Sequence, residues 1–456
     1  MFQFFVEVES PISSNTFDLE WDMREYMRPV FFVALAHTDT VAYFDSDIDS
    51  SRIRVSNLNL FPNSLRENLL FSMSFDSKIH YDSWSSSLDP LGNSNQLSNE
   101  KPLPKRMFAD CGAFQFKDLP RPMLGDVELD FNLAWICYEE RHVKASHRWD
   151  EILLCSPDHI ITPDMSDDDT TSRFDFIKEN AAPFLEKCKS DSRIYAVGVI
   201  HGRTIDERKK QYEMFKSLGY EYVALGGMVP YSTKQNQVLD IVAGIKDIEN
   251  PIIESDSILG RCRKDGIKLH VFGLNSPEWV RWWYRLQIDS FDGSKLSTEG
   301  AANGWYYIPN DGKGAGREMP SQPKNVGELY QRIAVKKMGS DKWEWKNENG
   351  LLKPIVPLTE KGVDTNCDCP ACQYLKSSRC TSERCWYRKE NPDHYHVADP
   401  RMMGSTEHNM GRVAHNAFVF SWIIEQIVLL NKLADETEIT DEKAWLLDWK
   451  TIEVES

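Results

Sequence analysis

From about residue 106 to about residue 291 the chain repeats one rhythm. A short apolar run meets a polar or glycine residue, and a stretch with apolar positions at helical spacing follows. Runs at 106–109, 158–162, 194–200, 220–225, 269–273 and 286–291 predict short strands. Helix-start signals separate them. Thr204-Ile-Asp-Glu207 has the spacing of a capping box, and Tyr212, Phe215 and Leu218 follow at near-helical intervals. Ser276 precedes Pro277, an N-cap serine ahead of proline at the first helical position. Strands alternating with helices imply a parallel sheet. Six such units without a Gly-x-Gly-x-x-Gly turn favour a closed (β/α)8 TIM barrel over an open doubly wound sheet. The opening Met1-Phe-Gln-Phe-Phe-Val reads as a first strand, and 85–105 and 164–171 read as loops.

Composition is compatible with a large core: 41% of residues are hydrophobic, with 14 Trp, 16 Tyr and 22 Phe. No apolar run approaches the roughly eighteen residues of a membrane span, and the first residues lack the basic charge of a signal peptide. A cytoplasmic protein without a membrane partner is expected. The net charge of −17 excludes a uniformly basic nucleic-acid binder. Local basic candidates remain at Arg203, at Arg208 to Lys210, from Arg261 to Lys268, at Lys336-Lys337 and from Lys376 to Lys389; each alone reads as a solvated face.

Cysteine placement adds a metal. Five of the ten cysteines fall within nineteen residues, and three of them form Cys367-Asp-Cys369-Pro-Ala-Cys372. Three thiolates and the more distant His415 suit a tetrahedral zinc ion with no open position, which is structural rather than catalytic. The fold class expected is therefore α/β, a TIM barrel with an inserted zinc-binding subdomain near the C-terminus. Its parts are an N-terminal elaboration with the start of the barrel (1–100), the catalytic core (101–300), the zinc-binding insertion (301–414), and a final helix and tail (415–456). Cys380, Cys385, His394 and His396 are read as a structural loop rather than a second metal site, and His408 is a competitor for the role of His415.

In a barrel the site lies at the C-terminal ends of the strands. Those ends carry Asp110, Asp164, His201, Gly226-Gly227 and Asp292. One such carboxylate alone is as readily a helix cap; three at one mouth point to chemistry.

These motifs resemble the guanine transglycosylase family, whose members exchange a guanine in nucleic acid for a 7-deazaguanine base. The resemblance covers about two thirds of the chain. Phe108-Ala-Asp110-Cys-Gly-Ala-Phe114-Gln115 is similar to the family's Asp-Ser-Gly-Gly-Phe-Gln strand end. Asp158-His-Ile-Ile-Thr-Pro-Asp164 resembles the segment ending in its base-reading aspartate, and Gly198-Val-Ile-His201-Gly202 its Gly-Ile-x-Gln-Gly. Leu225-Gly226-Gly227-Met228 resembles its Gly-Gly-Leu loop, and Ile288-Asp-Ser-Phe-Asp292 the run into its nucleophile. The cysteine triplet with His415-Asn416 resembles its zinc site. The resemblance implies Asp292 as nucleophile at C1′, with Asp289 as the less favoured candidate, and Asp110 as general acid/base. It further implies Asp164 and His201 as base readers, a close approach of Gly226, Gly227 and Met228 to the base, and Phe114 stacked on the purine.

The chain departs from the family in four places. Cys111 and Ala113 replace a serine and a glycine, and His201 replaces a glutamine. Gly293 to Trp305 replaces the arginine-bearing loop with which tRNA-acting members grip their substrate, and introduces Glu299. The reach from Cys372 to His415 is also longer. These losses resemble the DNA-modifying branch, the DpdA-like enzymes, which insert a base such as preQ0 into DNA. DNA and a free 7-deazaguanine base are thus the expected partners, with helper proteins for strand opening and with tRNA as the alternative substrate. Trp279, Trp282, Trp283 and Trp305 are candidates to stack on displaced bases, although core packing is their commoner use. A non-catalytic zinc-containing subunit and a barrel glycoside hydrolase are the competing classes. The first does not need the three acids, and the second does not account for the cysteines.

Overall fold

Alternation along eight short strands sets the architecture. The computed structural model describes residues 29–34, 40–43, 53–56, 61–73, 105–143, 149–302, 305–312, 317–334, 369 and 406–455. Strands β1 (Val30–Ala34), β2 (Asn68–Ser72), β3 (Arg106–Asp110), β4 (Glu151–Cys155), β5 (Ile194–Ile200), β6 (Tyr222–Leu225), β7 (Lys268–Val271) and β8 (Ser290–Gly293) close into a parallel barrel in chain order. Closure is made by β8 on β1, with Phe32 opposite Asp292. Successive side chains point to opposite faces of a strand, so the barrel sorts its residues into two cores. Phe32, Leu70, Phe108, Leu153, Val197 and Tyr222 fill the interior. Their neighbours Phe31, Leu69, Met107, Ile152 and Val223 face outward into the larger core beneath the helices.

Four predicted strands coincide with β3, β5, β6 and β7 to within a few residues. Two do not. The run at 158–162 is a loop, and the strand is Glu151–Cys155. The Ser156 amide donates to Val197 at 3.0 Å, after which Pro157 has no N–H to continue the ladder. In 286–291, Leu286 ends a helix and Gln287 turns the chain with φ 48°, so β8 starts only at Ser290. The predicted loop 164–171 gives way to a helix from Asp167. Ser166 caps that helix by accepting from the Asp169 amide, and three aspartates occupy the first turn, where the helix dipole favours anions. Met1 to Glu9 and most of 85–105 lie outside the described residues.

The outer layer comprises α1 (Phe131–Tyr138), α2 (Asp167–Cys188), α3 (Ile205–Leu218), α4 (Gln235–Ala243), α5 (Ile258–Asp265), α6 (Pro277–Leu286) and α7 (Thr406–Glu436). Trp279, Trp282 and Trp283 of α6 are all buried, so packing is their use. In α7, Arg412–Glu436 is long and apolar enough to cross a membrane by length and composition, contrary to the expectation that no run approaches such a span. It packs instead on the barrel and buries His415, Asn416, Ser421, Gln426 and Asn431. An antiparallel hairpin, β9 (Trp305–Pro309) with β10 (Tyr330–Ala334), lies between β8 and α7.

The capping box opening α3 is complete. The Glu207 amide donates to Thr204 Oγ1 at 3.2 Å, and the Thr204 amide donates to Glu207 Oε2 at 3.4 Å. Thr204→Ala is expected to lower stability by about 1 kcal/mol, read as a shift in the urea midpoint. An unchanged midpoint would show that the cap contributes nothing here.

Candidate active site

The same period of two delivers the reactive groups. Phe108 faces inward, so Asp110, two residues on, also faces inward at the end of β3. Ser290 places Asp292 in the same way on β8, and Val199 places His201 just past β5. All three reach one mouth of the barrel. Asp289 does not: it stands at the opposite end of β8, where its carboxylate accepts from the Leu269 amide at 2.8 Å.

Asp292 is 6% exposed, and its Oδ1 is held twice. The Gly273 amide donates to it at 2.8 Å, and His270 Nε2 lies 3.3 Å away. Asp110 accepts from the Gly112 amide at 2.7 Å and from the Ser72 side chain. Burial nevertheless pushes its carboxyl up to about 7, and the charges of Asp292 and Asp158 add to the rise. One acid of the mouth thus titrates near neutrality beside a second carboxylate.

Asp158 is the residue that the sequence reading passed over. It is buried, with Cys111 Sγ 2.8 Å from Oδ1 and His201 Nε2 2.6 Å from Oδ2. Two of the departures from the family pattern, Cys111 and His201, therefore grip the same carboxylate. Asp164, expected at this place, is exposed, and a hydrogen bond from Thr162 holds its carboxyl below the ordinary range. With β4 ending at Cys155, Asp158 rather than Asp164 is the first acid past its tip. His201 Nδ1 is buried beside Gly227 with no hydrogen-bond partner among the described residues.

The glycine loop serves His201. A Cβ on Gly226 would lie 2.3 Å from the His201 ring, and the Gly226 carbonyl accepts from Arg208 at 3.0 Å. Met228 is fully buried in the outer core. Phe114 is 59% exposed at the rim, on the turn Ala113–Phe116.

The predicted basic patches are mostly neutralised where they are described. Arg208 is buried, Arg203 pairs with Glu207 and Asp167, Lys209 with Asp256, and Arg261 with Asp256 and Glu213. The patches at Lys336-Lys337 and Lys376 to Lys389 lie outside the described residues.

After β8, Glu299 is 5% exposed and faces the protein. It accepts from Tyr307, from Arg332 at 2.7 Å and from Lys295 at 3.2 Å, which ties 294–302 to the β9–β10 hairpin. Helix α7 grips the same unit. Arg412 donates to the Gly300 carbonyl, and Asn416 pairs with Trp305 and Tyr307 as a further strand would. Next to Asn416, His415 Nε2 lies 2.8 Å from the Tyr307 carbonyl, so Nε2 carries the proton, and Nδ1 faces the Tyr306 hydroxyl at 3.4 Å. Cys369 Sγ lies 3.5 Å from that Nδ1. Two ligands of one tetrahedral zinc, at ordinary Zn–S and Zn–N lengths, stand about 3.6 Å apart. The donor pair fits such an ion. Cys367, Cys372, Cys380, Cys385, His394 and His396 lie outside the described residues, and so does the side chain of His408.

The chain is similar over 114 residues, at 29% identity, to a DNA-guanine transglycosylase of Salmonella montevideo. The matched stretch covers 25% of this chain and 23% of that protein. No family model matches the chain. The similarity is thus confined to less than a quarter of that protein's length.

The raised carboxyl of Asp110 carries a stability signature. Its pKa rises from 3.8 unfolded to about 7 folded, so the native state holds the extra proton between those limits and loses stability as the pH climbs through them. Asp110→Asn cannot ionise. Its stability relative to the wild type is expected to increase from about pH 5 to about pH 8 in urea titrations. A difference independent of pH would show an ordinary carboxylate.

Proposed function

We propose that this protein exchanges guanine in DNA for a 7-deazaguanine base such as preQ0, through a covalent glycosyl-aspartate. The observation that carries the reading is the unequal pair at the barrel mouth: a doubly held Asp292 beside an Asp110 poised near neutrality.

With Oδ1 engaged, Asp292 attacks C1′ of the target nucleoside through Oδ2. The C1′–N9 bond breaks through an oxocarbenium-like transition state, as in retaining glycosidases. Asp110 gives its proton to the departing guanine, then takes one from the incoming base as that base displaces the aspartyl ester. One glycosidic bond replaces another, so no energy input is required. Asp158, in place of Asp164, accepts from the N–H edge of the base, which an ionised carboxylate can do twice. Cys111 and His201 orient it, and His201 Nδ1 offers one further contact. Phe114 covers the purine face. A guanine inside a duplex must first be flipped out or presented in a single strand. DNA is favoured over tRNA because 294–302 lacks an arginine and spends its glutamate on an internal anchor.

Zinc held by Cys369, His415 and the neighbouring Cys367 and Cys372 supplies a structural tie between the cysteine segment and α7. About one zinc per chain is expected in the purified protein, and Cys369→Ser should lower both metal content and melting temperature. Metal-free, equally stable wild-type protein would sink this assignment.

Exchange itself is tested by incubating the protein with plasmid DNA or bulk tRNA plus preQ0 and analysing the nucleosides by mass spectrometry. Incorporation into DNA that disappears in Asp292→Ala is expected; incorporation into tRNA alone refutes the substrate, and survival in Asp292→Ala refutes the nucleophile. Asp158→Asn should raise the KM for the base about tenfold or more, with Asp164→Asn unchanged. The reverse pattern would restore Asp164.

A further inference from the structure

Beneath Asp292 a file of polar groups runs down the inside of the barrel, of which the base-exchange chemistry above uses only the last contact, His270 to Asp292. Tyr222 OH lies 2.6 Å from Ser290 Oγ, Ser290 Oγ lies 2.9 Å from His270 Nδ1, and His270 Nε2 lies 3.3 Å from Asp292 Oδ1. Tyr222, Ser290 and His270 are all buried. The imidazole is boxed by Phe108 and Phe272, with ring centroids at 4.4 and 4.6 Å, and by Phe32 at 6.1 Å. In an interior otherwise filled by apolar side chains, three hydrogen-bonding residues in line need a reason.

Their direction follows from the group at the top. An ionised aspartate only accepts, so His270 must present Nε2–H to it. Desolvation lowers the basicity of His270, and a neutral ring that donates from Nε2 has Nδ1 as its acceptor. Ser290 must then donate to Nδ1, and its oxygen accepts from Tyr222, whose phenol burial keeps protonated. Every donor in the file points toward Asp292.

We propose that His270, set in its Nε2–H tautomer by Ser290 and Tyr222, is a positioning residue that pins Oδ1 of Asp292 and leaves Oδ2 as the attacking oxygen. With the Gly273 amide fixed in the backbone, His270 is the second point that stops the carboxylate from rotating. A nucleophile held at two points loses less freedom on reaching its transition state than one held at a single point. This inference rests on the reading of Asp292 as the nucleophile.

The test combines kinetics with a readout that needs no activity. Nitrogen-15 spectra of histidine-labelled protein, with the His270 signal assigned by its loss in His270→Leu, should show protonated Nε2 and bare Nδ1. The opposite tautomer overturns the proposal. In guanine exchange on DNA, His270→Leu should lower kcat about 10- to 100-fold with KM nearly unchanged. His270→Gln, which restores an N–H near the same place, should recover part of that loss. Tyr222→Phe, which keeps the ring and removes one O–H, should lower kcat by a smaller factor. A wild-type kcat in His270→Leu, or equal losses in the Leu and Gln variants, overturns the positioning role. If the wild type exchanges no base, or Asp292→Ala still does, the base-exchange reading falls and takes the role with it. The tautomer spectrum then shows separately whether the file is built as described.

Discussion

Closure of eight parallel strands into a ring is the constraint on which the rest of this molecule depends. A closed sheet has only an inside and an outside, and each residue is committed to one of them by its parity along the strand. Phe108 and Asp110, or Ser290 and Asp292, are thus consequences of a single register. The inner residue fills the core, and the one two steps later arrives at the mouth. A slip of one residue in β3 or β8 would turn an acid out among the helices. Apolar packing between strands and helices, from Met107 to Val223, is what prevents that slip.

Within that frame the mouth holds acids of different kinds. Asp292 is surrounded by donors, Asp158 is shared between a thiol and an imidazole, and Asp110 carries the burden of burial with two negative neighbours. The protein separates the behaviour of chemically identical groups through their surroundings alone. Cys111 adds to this division. Its thiol is pushed well up by burial and by Asp158, so it serves as a donor rather than as a nucleophile.

Much of this was legible in the sequence, and the parts that were not share a cause. Short apolar runs and the capping signal of Thr204 and Glu207 located four of the eight barrel strands and α3, because burial and local hydrogen bonding act within a few residues. Asp110, His201 and Asp292 followed from those strand ends. Asp158 did not, since the run at 158–162 was taken for the strand itself, whereas β4 ends at Cys155, ahead of Pro157. His270 was hidden because a histidine in a buried run looks like any core residue until its neighbours across the barrel, Ser290 and Asp292, are in place. The partners of Glu299 were equally out of reach: Tyr307 and Arg332 lie on a hairpin that only the fold brings alongside.

That hairpin contact restricts how the chain can change. Residues 294–302 leave β8 at the barrel mouth, yet the segment is fastened beneath by Glu299 and closely packed above by Gly300, whose missing Cβ would stand 3.0 Å from the Val413 backbone. A lineage adapting to a new substrate cannot rewrite this loop freely. Any replacement must still neutralise Arg332 and leave room for α7, so the positions open to selection are fewer than the length of the loop suggests.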